Sequence, residues 1–327
     1  LLSIVVHYPK GQISDFQRKQ LTTVKSSRVK IVEFEGSGDD MDSPIKSILG
    51  DRTIANTKDH LICGINSFNI GRPIAQITHF VWTYLRVAQM MNLSPERDNF
   101  VLDLIIPTGA MGNMTAAYMA KKMGVPFGIF TAGVNVNDFT DVAFTTGLLS
   151  PSPGPMKMTL SEAINIQFPY NLERLLYYMT NEKHELIQEW YQTLGERGKV
   201  QLDEEWQAVL QSEFRSCRIS DEALCEVMNE ILQEFNYWTD PHTGVAFASA
   251  KRLGYLNPEA NRECCPVAIA ATASPCKFQS ALTVALGEGK WKEYEGQDFP
   301  ERGRDVLQKQ EVSPIAYPAL PGLPLFE

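Results

Sequence analysis

Residues 101–134, VLDLIIPTGAMGNMTAAYMAKKMGVPFGIFTAGV, are the part of this sequence whose residue types and spacing best suit chemistry. Val101 to Ile106 is an apolar run with the length of a buried strand, and Pro107 ends it. Thr108, Gly109, Ala110, Met111 and Gly112 form a glycine-bearing turn, and Asn113–Lys122 follows with the Ala, Met and Tyr content of a helix packed on a sheet. Gly124 and Pro126 stop that helix, and a second apolar run begins at Phe127. Strand, turn, helix and strand make a βαβ unit. Its turn aims main-chain N–H groups at an anion beside a helix N-terminus. An ordinary chain reversal uses glycines in the same way, so spacing alone leaves the two readings even. A dinucleotide fingerprint needs G-x-G-x-x-G, and only Gly109 and Gly112 are present. A Walker A loop needs G-K-[ST], and Asn113-Met114 follows Gly112. Neither nucleotide motif fits.

Other polar residues follow apolar strands, where ligands of open α/β sheets bind. Ser67, Asn69 and Asn137 are the candidate substrate contacts, with turn formation and N-capping as their alternative roles. Arg72 could pair with a carboxylate or phosphate, or brace the following helix. His242 stands in an expected turn, without a second His or Cys at ligand spacing, so no metal site is expected. The six cysteines form no C-x-x-C pair; a chain of this size needs no disulfide staples, which points to free thiols in a reducing, cytoplasmic compartment. Cys264-Cys265 reads as two half-buried thiols at a strand entrance.

These residues need a scaffold. The first hundred residues alternate strand-like pieces (Ser3–Tyr8, Val29–Glu33, His60–Ile65) with helix-like ones (Asp15–Val24, Asp42–Leu49, Pro73–Met91). Such alternation predicts parallel strands with helices on both faces. From 161 to 236 the pattern becomes helical. It is clearest in Ser220–Phe235, with an apolar face, a solvated glutamate stripe, and Ser220 and Asp221 as candidate caps. Pro266–Ala271 is again strand-like. The expected division is a partial small α/β domain at 1–95, a larger α/β domain at 96–287 with a helical insertion at 161–236, and an irregular Pro-rich tail at 288–327. The net charge of −9 argues against nucleic acid or an anionic membrane as partner, and no apolar run reaches the length of a membrane span.

The wording of the glycine turn carries a further signal. PTGAMGN…AAYMAKKMGVP resembles the cofactor-phosphate loop of the threonine synthase and threonine synthase-like family. YPKGQIS (8–14), QLTTV (20–24), EGSGDDMD (35–42), INSFNIGRPIAQ (65–76), NVND (135–138), NLERLLYYM (171–179), TDPHTGVA (239–246) and ATASPCKF (271–278) match further family motifs in order. The resemblance implies a fold-type II pyridoxal 5′-phosphate (PLP) enzyme. Thr108, Gly109, Ala110, Met111, Gly112 and Asn113 would cup the cofactor phosphate, and Thr272 would face the pyridine nitrogen. Ala110 stands where many relatives carry Asn, Gly38 replaces an aromatic, and Ser274 replaces a histidine.

The implied reaction is a phospho-lyase one on a small phosphorylated amino acid, O-phosphothreonine or O-phosphohomoserine, giving 2-oxobutyrate, ammonia and phosphate. Threonine synthase proper is the alternative, and a non-catalytic binding or signalling protein is another. The family's Schiff-base lysine belongs to an S-F-K-D motif upstream of Y-P-K-G, and no such motif occurs here. Lys10, Lys121 and Lys122 are poor substitutes, so the catalytic lysine is unassigned. The expectation is a shortened chain, inactive for want of that lysine and with uncovered strand edges open to self-association.

Overall fold

A computed structural model describes residues 2–36, 40, 42–51, 53, 61–95, 98, 100–256 and 266–317. In chain order its elements are β1 (Ile4–Pro9), α1 (Asp15–Thr22), β2 (Val29–Phe34), α2 (Asp42–Gly50), α3 (Gly71–Met90), β3 (Leu102–Pro107), α4 (Gly112–Lys122), β4 (Phe127–Val134), α5 (Phe139–Thr146) and β5 (Leu148–Leu149). Then come α6 (Leu172–Met179), α7 (His184–Arg197), β6 (Val200–Gln201), α8 (Glu204–Glu213), β7 (Phe214–Arg218), α9 (Asp221–Phe235), α10 (Pro241–Arg252), β8 (Val267–Ile269), α11 (Gln279–Leu286), α12 (Glu288–Gln297), α13 (Glu301–Gln308) and β9 (Ile315–Tyr317). The chain divides into two compact units. One holds Leu1–Cys63, Met228–Pro241 and Ala273–Glu327; the other holds Gly64–Val227 and His242–Thr272.

The second, larger unit is built on a parallel sheet ordered β7-β4-β3-β8. Side chains alternate between the faces of β3. Leu102, Leu104 and Ile106 join the main core with Phe80 and Tyr84 of α3 and Met114, Ala117 and Tyr118 of α4. Ile105 turns the other way and meets Ala246 and Ala250 of α10. A strand covered on both faces is largely apolar, and that is why this run was legible; Asp103 is the exception, and its carboxylate accepts the Ile129 N–H at 2.8 Å. The small residues of α4 (Ala116, Ala117 and Ala120, all fully buried) let its backbone lie close on the sheet. Each buried Leu or Ile contributes about 2–3 kcal/mol, so this face anchors the glycine turn firmly.

The first unit has its own parallel sheet, β1-β2-β9. Helix α1 starts at a complete capping box, Ser14 with Gln17. Phe16 packs edge-on against Phe299, and Gly303 sits where a Cβ would strike the Phe299 ring at 2.7 Å. Arg18 pairs with Glu311, whose carboxylate also accepts from Thr22 at 2.7 Å.

Several expectations change. The stretch 161–236 is not purely helical, because Phe214–Arg218 pairs with β4 as the outer strand β7. Residues 288–317 are not an irregular tail: they form α12, α13 and β9, the last paired with β2. The sequence boundary at 95 falls at 63 instead, and the chain re-enters each unit. No strand forms at 61–65, where Leu61 and Ile65 are exposed. Cys264-Cys265, Gly38, His60 and 318–327 lie outside the described residues. Among the described residues, no helix is long and apolar enough to cross a membrane.

Candidate functional site

The turn between β3 and α4 closes on an αL residue. Met111 has φ 64° and ψ 8° and is buried, a conformation that costs a residue with a Cβ on the order of 1–3 kcal/mol. That geometry leaves the main-chain N–H groups of Gly109, Ala110, Met111, Gly112, Asn113 and Met114 without an acceptor among the described residues. They surround a cavity of about 120 Å³ whose wall also includes Ser67, Arg72 and Gln76. Six unsatisfied donors at the N-terminus of an 11-residue helix, with Arg72 among the lining residues, form an electropositive cup.

Two glycines are required by close approach rather than by φ. A Cβ on Gly109 would lie 2.8 Å from the Ile164 Cα, and one on Gly112 would lie 2.7 Å from the Ser67 Cβ. The turn is thus gripped on one side by the 3₁₀ turn Glu162–Ile164 and on the other by the loop before α3.

A second cavity of about 460 Å³ adjoins the cup and shares Gln76 and Asn113 with it. Ala268, Ile269, Ala270, Ala271 and Thr272 form one wall. Gln76 Oε1 and Asn113 Oδ1 are buried without hydrogen-bond partners. Both residues line the two cavities, so each cavity borders a side chain with an unsatisfied acceptor.

The site residues expected from sequence divide accordingly. Gly109, Ala110, Met111, Gly112 and Asn113 supply the cup. Thr108 lines it without donating, since its N–H goes to the Gly133 carbonyl at 2.8 Å and its hydroxyl to the Ile106 carbonyl at 2.7 Å. Thr272 reaches the second cavity. Ser67 is buried beside the cup, with Oγ 2.9 Å from the Tyr170 hydroxyl and 3.0 Å from the Asn171 amide. Asn69 instead ties its own loop, donating to the Gly64 carbonyl and accepting from the Gly71 N–H. Asn137 braces the loop after β5, donating to the Lys157 carbonyl and accepting the Lys157 N–H, both at 2.9 Å. Asn69 therefore takes the local bonding that short amides favour in turns, whereas Asn137 ties together segments 20 residues apart.

His242 lies at the start of α10 rather than in a turn, buried, and its Nε2 accepts the Ala163 N–H at 3.0 Å. Glu162 beside it has its carboxyl pushed up by burial, with His242 opposing the shift. No cluster of three metal-capable side chains occurs among the described residues. Gln76 and Asn171 had no assigned role in the sequence. Both lie inside quoted motifs, but only the fold shows which polar side chain points inward.

No family model matches the chain. It is 32% identical to threonine synthase-like 2 of Xenopus laevis over 284 residues, 87% of this chain and 57% of that protein. It is 30% identical to threonine synthase of Saccharomyces cerevisiae over 313 residues, 92% of this chain and 59% of that protein. Among solved structures, yeast threonine synthase superposes with a TM-score of 0.80 at 28% identity, over 97% of this chain and 62% of that one. The chain belongs to the threonine synthase and threonine synthase-like family. It spans less than two thirds of the length of these relatives. PLP-bound threonine synthase from Brucella melitensis also superposes, with a TM-score of 0.79 at 25% identity over 97% of this chain and 62% of that one. The fold is accordingly the α/β fold of the fold-type II PLP enzymes, and PLP is the cofactor of that family.

Proposed function

We propose that this chain carries the cofactor-phosphate cup and part of the substrate cavity of a PLP-dependent phospho-lyase. The observation that supports the reading most is the set of six unbonded N–H groups at the start of α4, walled by glycines that leave no room for a Cβ. The residues present fit the group. The cup suits a phosphate dianion, Gln76 and Asn113 with their orphaned oxygens line it, and Thr272 lies on the wall of a cavity large enough for a pyridine ring.

When bound, PLP supplies the electron sink for loss of a Cα proton. The protein's own part is to bind and orient. The N–H groups and Arg72 would neutralise the phosphate charge, and Thr272 would offer a hydroxyl to the ring nitrogen. A neutral partner of that kind would leave the nitrogen largely unprotonated, where a carboxylate would hold a proton on it. Ser67 lines the cup, and Gln76 and Asn113 line both cavities.

The substrate is an O-phosphorylated amino acid such as O-phosphothreonine or O-phosphohomoserine, which with water yields 2-oxobutyrate, ammonia and phosphate. Threonine synthase proper is the second reading, since the yeast enzyme shares the fold. None of the 327 residues is assigned the base that removes the Cα proton, and the S-F-K-D motif is absent from them. The chain by itself is therefore expected to take PLP reversibly and to be inactive.

Two assays test this. Borohydride reduction of a PLP-saturated sample should label no single lysine; one specific reduced adduct would show that the covalent lysine lies within these residues. Extended by the N-terminal region of the Xenopus protein, the chain should release phosphate and 2-oxobutyrate from O-phosphothreonine or O-phosphohomoserine. Release of threonine instead would favour the synthase reading, and no turnover of either substrate would contradict both.

A further inference from the structure

We propose that Asn171, held by Arg174, is a positioning residue that sets the Ala110–Met111 peptide and thereby aims the cup; this rests on the reading of residues 108–113 as the phosphate site. The Ala110 carbonyl accepts two hydrogen bonds from one residue, the Asn171 main-chain N–H at 3.1 Å and its side-chain Nδ2 at 2.9 Å. In a planar trans peptide the C=O and N–H point in opposite directions. Drawing the Ala110 carbonyl toward Asn171 therefore turns the Met111 N–H the other way, where it meets no described acceptor. With that peptide flipped, a carbonyl oxygen would take the place of an N–H donor, and one attraction to an anion would become a repulsion.

Two further observations support the role. Met111 holds an αL conformation, which a residue with a Cβ keeps only where its surroundings over-determine it. The two bonds from Asn171 to the preceding carbonyl are such a constraint. Asn171 is itself fully buried, and the Arg174 guanidinium donates to its Oδ1 at 2.6 Å. That bond assigns the amide, because an oxygen must face the cation and the nitrogen must then face Ala110. Arg174 also donates to the Ser67 and Phe68 carbonyls, and Asn171 Nδ2 reaches Ser67 Oγ at 3.0 Å. One Asn–Arg pair thus fixes both walls that meet at Gly112.

The test compares PLP with pyridoxal, which lacks the phosphate, by titrating the chain and its Asn171→Ala variant. The main-chain bond to Ala110 survives the substitution, so the loss should be partial. We expect PLP affinity to fall roughly tenfold and pyridoxal affinity to change less than twofold. Equal losses for both ligands would mean a merely structural role, and no loss for PLP would mean that the peptide holds its orientation unaided; either result overturns the inference. If Asn171→Ala does not melt cooperatively, Arg174→Lys decides by the same ratio, with PLP again weakened selectively. Wild-type chain that binds PLP no better than pyridoxal would remove the cup itself, and this inference with it.

Discussion

At Gly112 the turn leaves no room for a side chain, since a Cβ would lie 2.7 Å from the Ser67 Cβ. Alanine there would have to displace Ser67, and aspartate would add a charge facing the dianion that the proposed cup would hold. At about 4 Å, with an effective dielectric near 20, each like-charge pair repels by roughly 4 kcal/mol. Gly112→Asp is therefore expected to abolish PLP binding, read by absorbance titration. Thr272→Ala should weaken it only mildly, by about 1 kcal/mol, since one hydrogen bond to a neutral nitrogen is at stake. Glu162 offers a test away from the ligand. Burial raises its carboxyl pKa in the folded chain, and Oε2 has no partner. The folded state then binds more protons than the unfolded state just above the ordinary glutamate value of 4.5, so stability falls as pH rises through that window and the penalty persists at neutral pH. Glu162→Gln should raise the neutral-pH Tm and flatten its decline between pH 4.5 and 7; an unchanged profile would mean that the carboxylate is solvated. The strand–turn–helix unit at 102–122 was legible because an apolar run, a glycine-bearing turn and a small-residue helix follow one another directly. Gln76 and Asn171 were not, because an amide inside a helix or at its start reads the same whether it faces a ligand, a carbonyl or water.

Among the elements, β3, α4 and β4 matched their sequence signatures to within a residue or two. Each has a strong internal cause: a strand buried on both faces, a small-residue helix, and a Gly–Pro stop. Strand β7 was hidden, since F-R-S-C-R has neither an apolar run nor a clean alternation and owes its conformation to pairing with β4. Strand β9 was hidden for the same reason, in a proline-bearing stretch that pairs with β2. Its contribution can be measured. A chain ended at Gln310 loses β9 and the Glu311 carboxylate that Arg18 and Thr22 share. Faster amide exchange in β2 than in the 327-residue chain is expected, and unchanged protection there would show that β9 adds nothing to the small sheet.

For the molecule as a whole, the sequence conveyed alternating α/β organisation but not which segments belong together. Residues 228–241 and 273–317 fold with the N-terminal strands, a return that no local pattern encodes because it is settled by long-range packing. The two units also differ in how well they are buried. Leu102, Ile105 and Ile106 are fully buried in the larger unit, whereas Val5 of β1 and Ile315 of β9 are more than half exposed. Native-state hydrogen exchange should therefore show 4–34 opening at lower free energy than 102–134. Uniform protection across both would mean that the units unfold as one.

The most direct test of the account is a PLP titration of the 327-residue chain and its Gly112→Asp variant, each repeated in millimolar inorganic phosphate. The account predicts saturable PLP binding by the wild-type chain, competed by inorganic phosphate and lost in the variant. Wild-type binding that phosphate does not compete, or equal binding by Gly112→Asp, would show that the turn at 108–113 does not hold the cofactor phosphate.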